Sequence, residues 1–424
     1  VTTSPTGTAM RRAARGAARA SERALAPDLA RGVMLLLIVM SNTGFHLWAA
    51  RHGATGWHPV DGSTVDTVVQ FAMIVALDGR VYPLFAFLLG YGMMQLFLRQ
   101  TAAGATDRAA SSLLRRRSLW LVVFGSVHAT LLLAGDIIGF YGVVSLVLGW
   151  LFLRRSGRTL LVAATIAVLL KVWFETDALG ALLGGDLGAV GNSSTEPSTL
   201  AYAAGEENPL AAAQTRLTTW AIITAFGGFA WLTAAEFLFG FWAARHRVLE
   251  DPVRHLRLLR WTAALGVPVG LLGGLPLALA HVGWWDVPAA AIGEGGAIST
   301  LAWLTGLPGG LGYVALFGLM AHRLRTGGHG RPVVVAVGAV GKRSLSCYLA
   351  HSIMFAPVLS AWGFGLGAKL GSATMAAFAV GVWLITVVAA YAMERRGRTG
   401  PAEALLRRLV YGRRPQPVTT TPST

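Results

Sequence analysis

Ten apolar runs divide this chain, each close to the roughly 20 helical residues that cross a hydrocarbon core. They lie near residues 28–50, 80–99, 115–134, 136–154, 158–175, 217–243, 257–281, 297–321, 334–360 and 372–393. Hydrocarbon offers the backbone no hydrogen-bonding partner, so serial segments of this length must be helices or strands of a closed barrel. Runs this long and continuously apolar choose the helix. Charge supports the reading, because only 13% of residues are charged and 54% are hydrophobic, whereas about a quarter of a soluble domain is charged. The expected fold is therefore all-α: a polytopic integral membrane bundle of about ten transmembrane helices. The segment around Val65 to Leu77 is apolar but short, and reads as an interfacial or re-entrant piece.

Basic residues cluster between alternate runs, which sets orientation through the excess of Lys and Arg in cytoplasmic connections. Arg11 to Arg31 precede or open the first run. Arg99, Arg108 and Arg115 to Arg117 follow the second, and later clusters are Arg154 to Arg158, Arg245 to Arg260, Arg323 to Arg331 and Arg395 to Arg398. The other connections hold little beyond Arg51, Arg80, Arg216 and Lys369. Both termini are expected in the cytoplasm. The net charge of +16 is thus a topology signal and does not imply nucleic acid. The organisation that follows is a disordered basic cytoplasmic tail over 1–26, a helical bundle over 27–398 with an extracytoplasmic loop at 176–216, and a cytoplasmic C-terminal segment and tail over 399–424. The single cysteine, Cys347, excludes a disulfide framework and a Cys-based zinc site. No metal site is expected.

Ionisable residues inside such runs are costly to bury and mark sites or polar partners. Arg117 and His128 are eleven residues apart, almost three turns, so they share one helix face about 16 Å apart. Asp136 follows after Gly135 at a tight turn. It reads equally as the carboxylate that orients His128 or as the cap of the next helix. The first run repeats the spacing with Arg31 and Asn42, and His46 stands one turn beyond. Asp28 and Arg31 also read as a simple charge-paired helix start, and Arg115 to Arg117 as anchors to lipid phosphate. In the ninth run Ser344, Tyr348 and His351 form a polar stripe, preceded by Lys342 and Arg343, too deep to be flanking charges. Either Val333 to Val340 is re-entrant, or those cations face a polar cavity. Glu236 reads best as one half of a salt bridge within the bundle.

Four stretches carry a resemblance: "APDLARGVMLLLIVMSN", "GRVYPLFAFLLGYGMM", "RRRSLWLVVFGSVHATLLLAGDIIGFYGVVSLVLGW" and "VGKRSLSCYLAHS…RTGPAEALLRRLVYG". Together they resemble the YeiB-like family of bacterial membrane proteins, a domain of unknown function, from about Ala26 to Gly412. That family is similar to a distant branch of the transmembrane acyltransferase superfamily, which includes the acyltransferase family 3 proteins and heparan-alpha-glucosaminide N-acetyltransferase. The resemblance implies a multi-pass protein of the bacterial cytoplasmic membrane that moves an acyl group from cytoplasmic acyl-CoA to an acceptor outside. In acyltransferase family 3 an arginine of the first helix is followed by an essential histidine. Here the matching place holds Asn42 after Arg31, and Arg117 with His128 meet the spacing instead.

Acyl transfer from a thioester needs a base near the acceptor and donors for the developing oxyanion. The catalytic candidates are His128 as base, Asp136 as its support, and Asn42, Tyr348 and His351 around them. The donor's phosphates need cations, for which the candidates are Arg31, Arg115, Arg116, Arg117, Lys342 and Arg343. Acyl-CoA would be a substrate rather than a resident cofactor. The expected partners are the lipid bilayer, acyl-CoA and a sugar, lipid or small-metabolite acceptor, with no nucleic acid. Homo-oligomerisation is compatible with the sequence and not specified by it. Two other readings stay open: a transporter or flippase of a small molecule or lipid, and a non-enzymatic scaffold.

Overall fold

A computed structural model describes residues 25–194, 196, 198–227, 233–327 and 332–412. Most of the expected N-terminal tail, its arginines up to Arg23, Arg331 and residues 413–424 lie outside the described residues. The N-terminal boundary shifts, because Leu25 already opens the first helix and Ala26 is buried.

The helices are α1 (Leu25–Ser41), α2 (Thr64–Ala76), α3 (Val81–Ala102), α4 (Asp107–Leu131), α5 (Ile137–Phe152), α6 (Gly157–Phe174), α7 (Thr176–Gly184), α8 (Pro209–Gly227) and α9 (Ala234–Arg245). After them come α10 (Leu256–His281), α11 (Ala289–Ile292), α12 (Ala297–Leu304), α13 (Gly306–Gly327), α14 (Pro332–Lys342), α15 (Ser344–Leu359), α16 (Ser372–Arg395) and α17 (Pro401–Tyr411). Among the described residues no strand forms beyond an isolated bridge between His52 and Pro59.

Among the described residues, six helical stretches are long and apolar enough to cross a membrane: Leu25–His46, Val81–Ala102, Gly157–Phe174, Pro252–His281, Ala289–Leu324 and Ser372–Arg395. The chain is thus a helical protein with the makings of a multi-pass membrane protein. The expected run 334–360 is not one straight span. It breaks between α14 and α15 with an 85° bend, and counted as one broken span it raises the number to seven. Two other runs fall short of the ten for physical reasons, and a third is not described throughout. α4 opens with Asp107, Arg108 and Arg115 to Arg117, so only its last 14 residues are apolar. α5 has 16 residues, about 24 Å of helix against a core near 30 Å. The run 217–243 is interrupted by residues outside the described set.

Glycine rows allow the closest helix approaches, as expected where apolar solvent gives helices little other reason to associate. A Cβ on Gly270 would lie 2.7 Å from the Gly309 Cα, so α10 and α13 meet backbone to backbone. A Cβ on Gly90 would lie 2.5 Å from the Phe237 carbonyl oxygen, joining α3 to α9. Gly125 of α4 sits against the Gly139 backbone of α5 and against Asp136. Phe87, Tyr91, Phe237 and Phe241 fill the core around these contacts. The connections divide between two ends of the bundle. One end carries the basic turns at 103–106, 153–156 and 245–255; the other carries the segments 42–63, 132–136, 175–194, 198–208, 282–296 and 360–371.

Candidate functional site

α4 buries a single stripe: Ala110, Leu114, Ser118, Leu121, Gly125, His128 and Ala129. This is the spacing of one helical face. At its far end the His128 side chain is only 1% exposed and Asp136 is wholly buried. Nδ1 of His128 lies 2.8 Å from Oδ1 of Asp136. The approach is a close polar contact rather than an aligned hydrogen bond, since neither atom meets hydrogen-bond geometry, and Nε2 of His128 has no hydrogen-bond partner among the described residues. The other Asp136 oxygen, Oδ2, accepts from the Gly139 N–H at 2.6 Å. One oxygen of Asp136 thus caps α5 while the other faces the imidazole.

Tyr348 of α15 stands next, its ring centroid 5.2 Å from that of His128. Its hydroxyl accepts from the Ile137 N–H at 3.5 Å, which leaves the phenolic proton free to be donated elsewhere. Tyr348 also divides two cavities. The smaller, about 20 Å³, is lined by Asn42, His46, Tyr348, His351, Ser352 and apolar neighbours, room for about one water. His351 Nε2 meets the Thr386 hydroxyl at 3.1 Å, and His46 Nδ1 is buried with no hydrogen-bond partner among the described residues. Asn42, Tyr348 and His351 thus meet in one chamber, next to the His128–Asp136 pair.

The larger cavity, about 620 Å³, runs from the basic end of the bundle to Tyr348. Along α3 its wall extends from Phe85 to Ala102, about 26 Å of helix. Arg31, Arg99, Arg117, Lys342 and Arg407 line it, and its deep walls are apolar, with Leu35, Leu121 and Ile138. Gly92 leaves room for the Arg31 guanidinium, 2.6 Å from where a Cβ would stand, and that guanidinium lies 3.6 Å from Asp28. Tyr411 of α17 lines the same cavity: burial raises its hydroxyl pKa, and Arg117, Arg407 and Arg99 pull it the other way.

Not every expected cation lies there. Arg115 and Arg116 are exposed on the opposite side of α4 and do not line the cavity, because the 100° step per residue gives that face to Arg117 alone. Arg343 is buried and occupied: it donates to Ala339 and Arg398 carbonyls and pairs with Glu394 at 2.8 Å. Lys342 lines the cavity but also pairs with Glu394 at 2.6 Å. Glu236 pairs with Lys171 at 3.3 Å. Sequence reasoning missed Arg99, Arg407 and Tyr411. Arg99 had been read only as a topology signal. In α17, "PAEALLRRLVY", the segregation of Leu406 and Val410 from the arginines was the available signal. Glu403 anchors this helix by accepting from the Leu345 and Ser346 N–H groups at 2.8 and 3.1 Å.

Residues 243–413 match a family described as "Protein of unknown function (DUF418)". The matched region holds Lys342, Tyr348, His351 and Arg407, but not His128, Asp136 or Asn42. The chain is also similar to the uncharacterized protein YxaH of Bacillus subtilis strain 168, at 24% identity over 370 residues, 84% of each chain. That similarity extends over most of the bundle.

Proposed function

We propose that this protein is a bacterial cytoplasmic-membrane acyltransferase, which moves an acyl group from cytoplasmic acyl-CoA to a hydroxyl or amine acceptor at the extracytoplasmic face. One observation carries the reading: the cation-mouthed cavity ends at Tyr348, and Tyr348 packs on the buried His128–Asp136 pair. The donor's phosphates would rest on Arg31, Arg99, Arg117 and Arg407, with the thioester arm directed inward. Asp136 favours the tautomer with the proton on Nδ1 of His128, which leaves Nε2 as the base. Nε2 takes the proton of the acceptor O–H or N–H as that atom attacks the thioester carbonyl. Tyr348 and Asn42 donate to the oxyanion. The carbon–sulfur bond then breaks, and the departing thiolate recovers the proton from Nε2 as free CoA.

The test is purified protein in lipid nanodiscs with acyl-labelled acetyl-CoA, followed by a search for labelled lipid, sugar or amine. Label should move to an acceptor with release of free CoA, and His128→Ala should stop it. Movement of a solute or lipid across reconstituted vesicles, with no labelled acceptor, would instead establish the transporter reading.

A further inference from the structure

At the end of the bundle opposite the arginines, aromatic side chains cover the turn that follows the candidate base. Phe45 stacks on Tyr202 with centroids 3.9 Å apart, and Trp57 meets Phe45 edge-on at 4.4 Å. This aromatic plug rests on the Gly135–Asp136 turn: a Cβ on Gly135 would stand 2.8 Å from the Tyr202 ring and 3.7 Å from Phe45. Only a glycine lets the plug sit so close. Trp57 belongs to the connection 47–62, which has little regular structure of its own and is held down by polar contacts on either side of the plug. His58 Nε2 pairs with Asp78 at 2.6 Å, just ahead of α3. His281, the last residue of α10, donates from Nε2 to the Pro59 carbonyl at 3.1 Å. Its Nδ1 is then left as the acceptor for the Thr55 hydroxyl at 3.0 Å.

We infer that the connection 47–62 is a latched lid, and that Phe45, Trp57 and Tyr202 are the plug it holds over the acceptor side of the site. Its biological purpose rests on the acyl-transfer reading, since an acceptor from outside must pass this plug to reach His128. Its closure does not rest on that reading. The chamber beyond Tyr348, whose lining residues His46 and Leu133 adjoin the plug and the turn beneath it, has room for about one water, too little for an acceptor. The latch joins the lid to two different helices, α3 and α10, so a small relative shift of those helices would release it. A lid bound by a few side-chain contacts, with few backbone ladders, belongs to the low-stability part of a fold.

The experiment is cysteine accessibility in nanodiscs, where both faces are open to reagent. In a Cys347→Ser background, Ser352→Cys reports the chamber and Ser194→Cys reports an exposed site. A small charged thiol reagent should modify the Ser352 position at least tenfold more slowly than the Ser194 position. His58→Ala, which opens the latch, and separately Trp57→Ala, which removes the lid's own ring from the plug without touching the latch, should each narrow that gap to threefold or less. The Ser194 rate and the unfolding temperature should stay near the parent's. Equal rates at the two positions with the latch intact, or an unchanged gap in both variants, would overturn the lid. If the variant proteins fail to fold, the parent's two rates still decide whether the chamber is closed. Acyl transfer is measured separately: its absence, with the accessibility pattern present, removes the acyltransferase reading and leaves the lid standing.

Discussion

Asp136 serves two partners at once, Gly139 N–H through Oδ2 at 2.6 Å and His128 Nδ1 through Oδ1 at 2.8 Å. The arrangement allows the capping role to be tested apart from the proposed chemistry. Asparagine is as good an N-cap as aspartate, whereas alanine loses about 0.5–2 kcal/mol of helix stability. Asp136→Asn should therefore unfold near the parent temperature yet lose at least tenfold in turnover, because the imidazole loses its negative partner. Asp136→Ala should lose both. His128→Ala should lower turnover by about 10²–10⁴, the usual contribution of a positioned base. Thermal unfolding and acyl-transfer assays on the same preparations make the check. An Asp136→Asn protein with full turnover would reduce the carboxylate to a cap.

The cations at the large cavity can be told apart from those that merely anchor the helix. Charge-assisted contacts to phosphate are worth about 1.5–3 kcal/mol each, or roughly tenfold or more in affinity. Arg117→Ala and Arg407→Ala should each weaken CoA binding by about that factor at moderate ionic strength. Arg115→Ala and Arg116→Ala should leave it within twofold, because their side chains face away from the cavity. Calorimetry or equilibrium binding on nanodisc-held protein distinguishes the four. Equal losses at all four positions would point to a diffuse electrostatic effect.

The helical class, most run positions and the shared face of Arg117 and His128 were legible in the sequence, because periodicity and run length are local properties. The contact between His128 and Asp136 was only half legible: the glycine turn permits it, but on an ideal helix the two point about 80° apart. What escaped is tertiary. The pairing of Lys342 and Arg343 with Glu394 joins residues some fifty positions apart, and explains how cations sit so far into an apolar run. The break at Arg343 could not be told from a straight helix by hydropathy, which averages over direction. The placement of Arg407 and Tyr411 at the cavity depends on α17 folding back against α4 and α15, which no local pattern announces.

Topology is the next quantity to measure. With the basic end in the cytoplasm, a cysteine at Ser194 should react with an impermeant thiol reagent in intact cells. One at Ala109, exposed in the first turn of α4, should react only after lysis. Both belong in a Cys347→Ser background. Reaction of both in intact cells, or of Ala109 alone, would reverse or break the proposed orientation and with it the proposed direction of transfer.

The lid should respond to acid, and the sign can be worked out at His52. This residue lies in the connection itself. Burial lowers its pKa below the ordinary histidine value, the Ala50 carbonyl and Asp61 oppose that shift, and neighbouring His58 adds to it. The folded lid therefore holds His52 neutral, while the released lid binds a proton more readily. The contribution of His52 to the closed form is complete above about pH 6.5 and is lost as pH falls through the lowered folded value. The charged and titratable groups facing this region are Arg51, His58 and Asp61 within the connection, Asp78 ahead of α3, and His281 at the end of α10. The single exposed carboxylate, Asp61, and the His58–Asp78 pair cannot balance a positive charge on every imidazole. Labelling at Ser352→Cys, corrected for thiolate fraction, should thus rise as pH drops from 7 to 5, and His52→Gln should flatten the rise. A profile that is level over that range in the parent would mean that the histidines hold the lid by shape and hydrogen bonding, without reading pH.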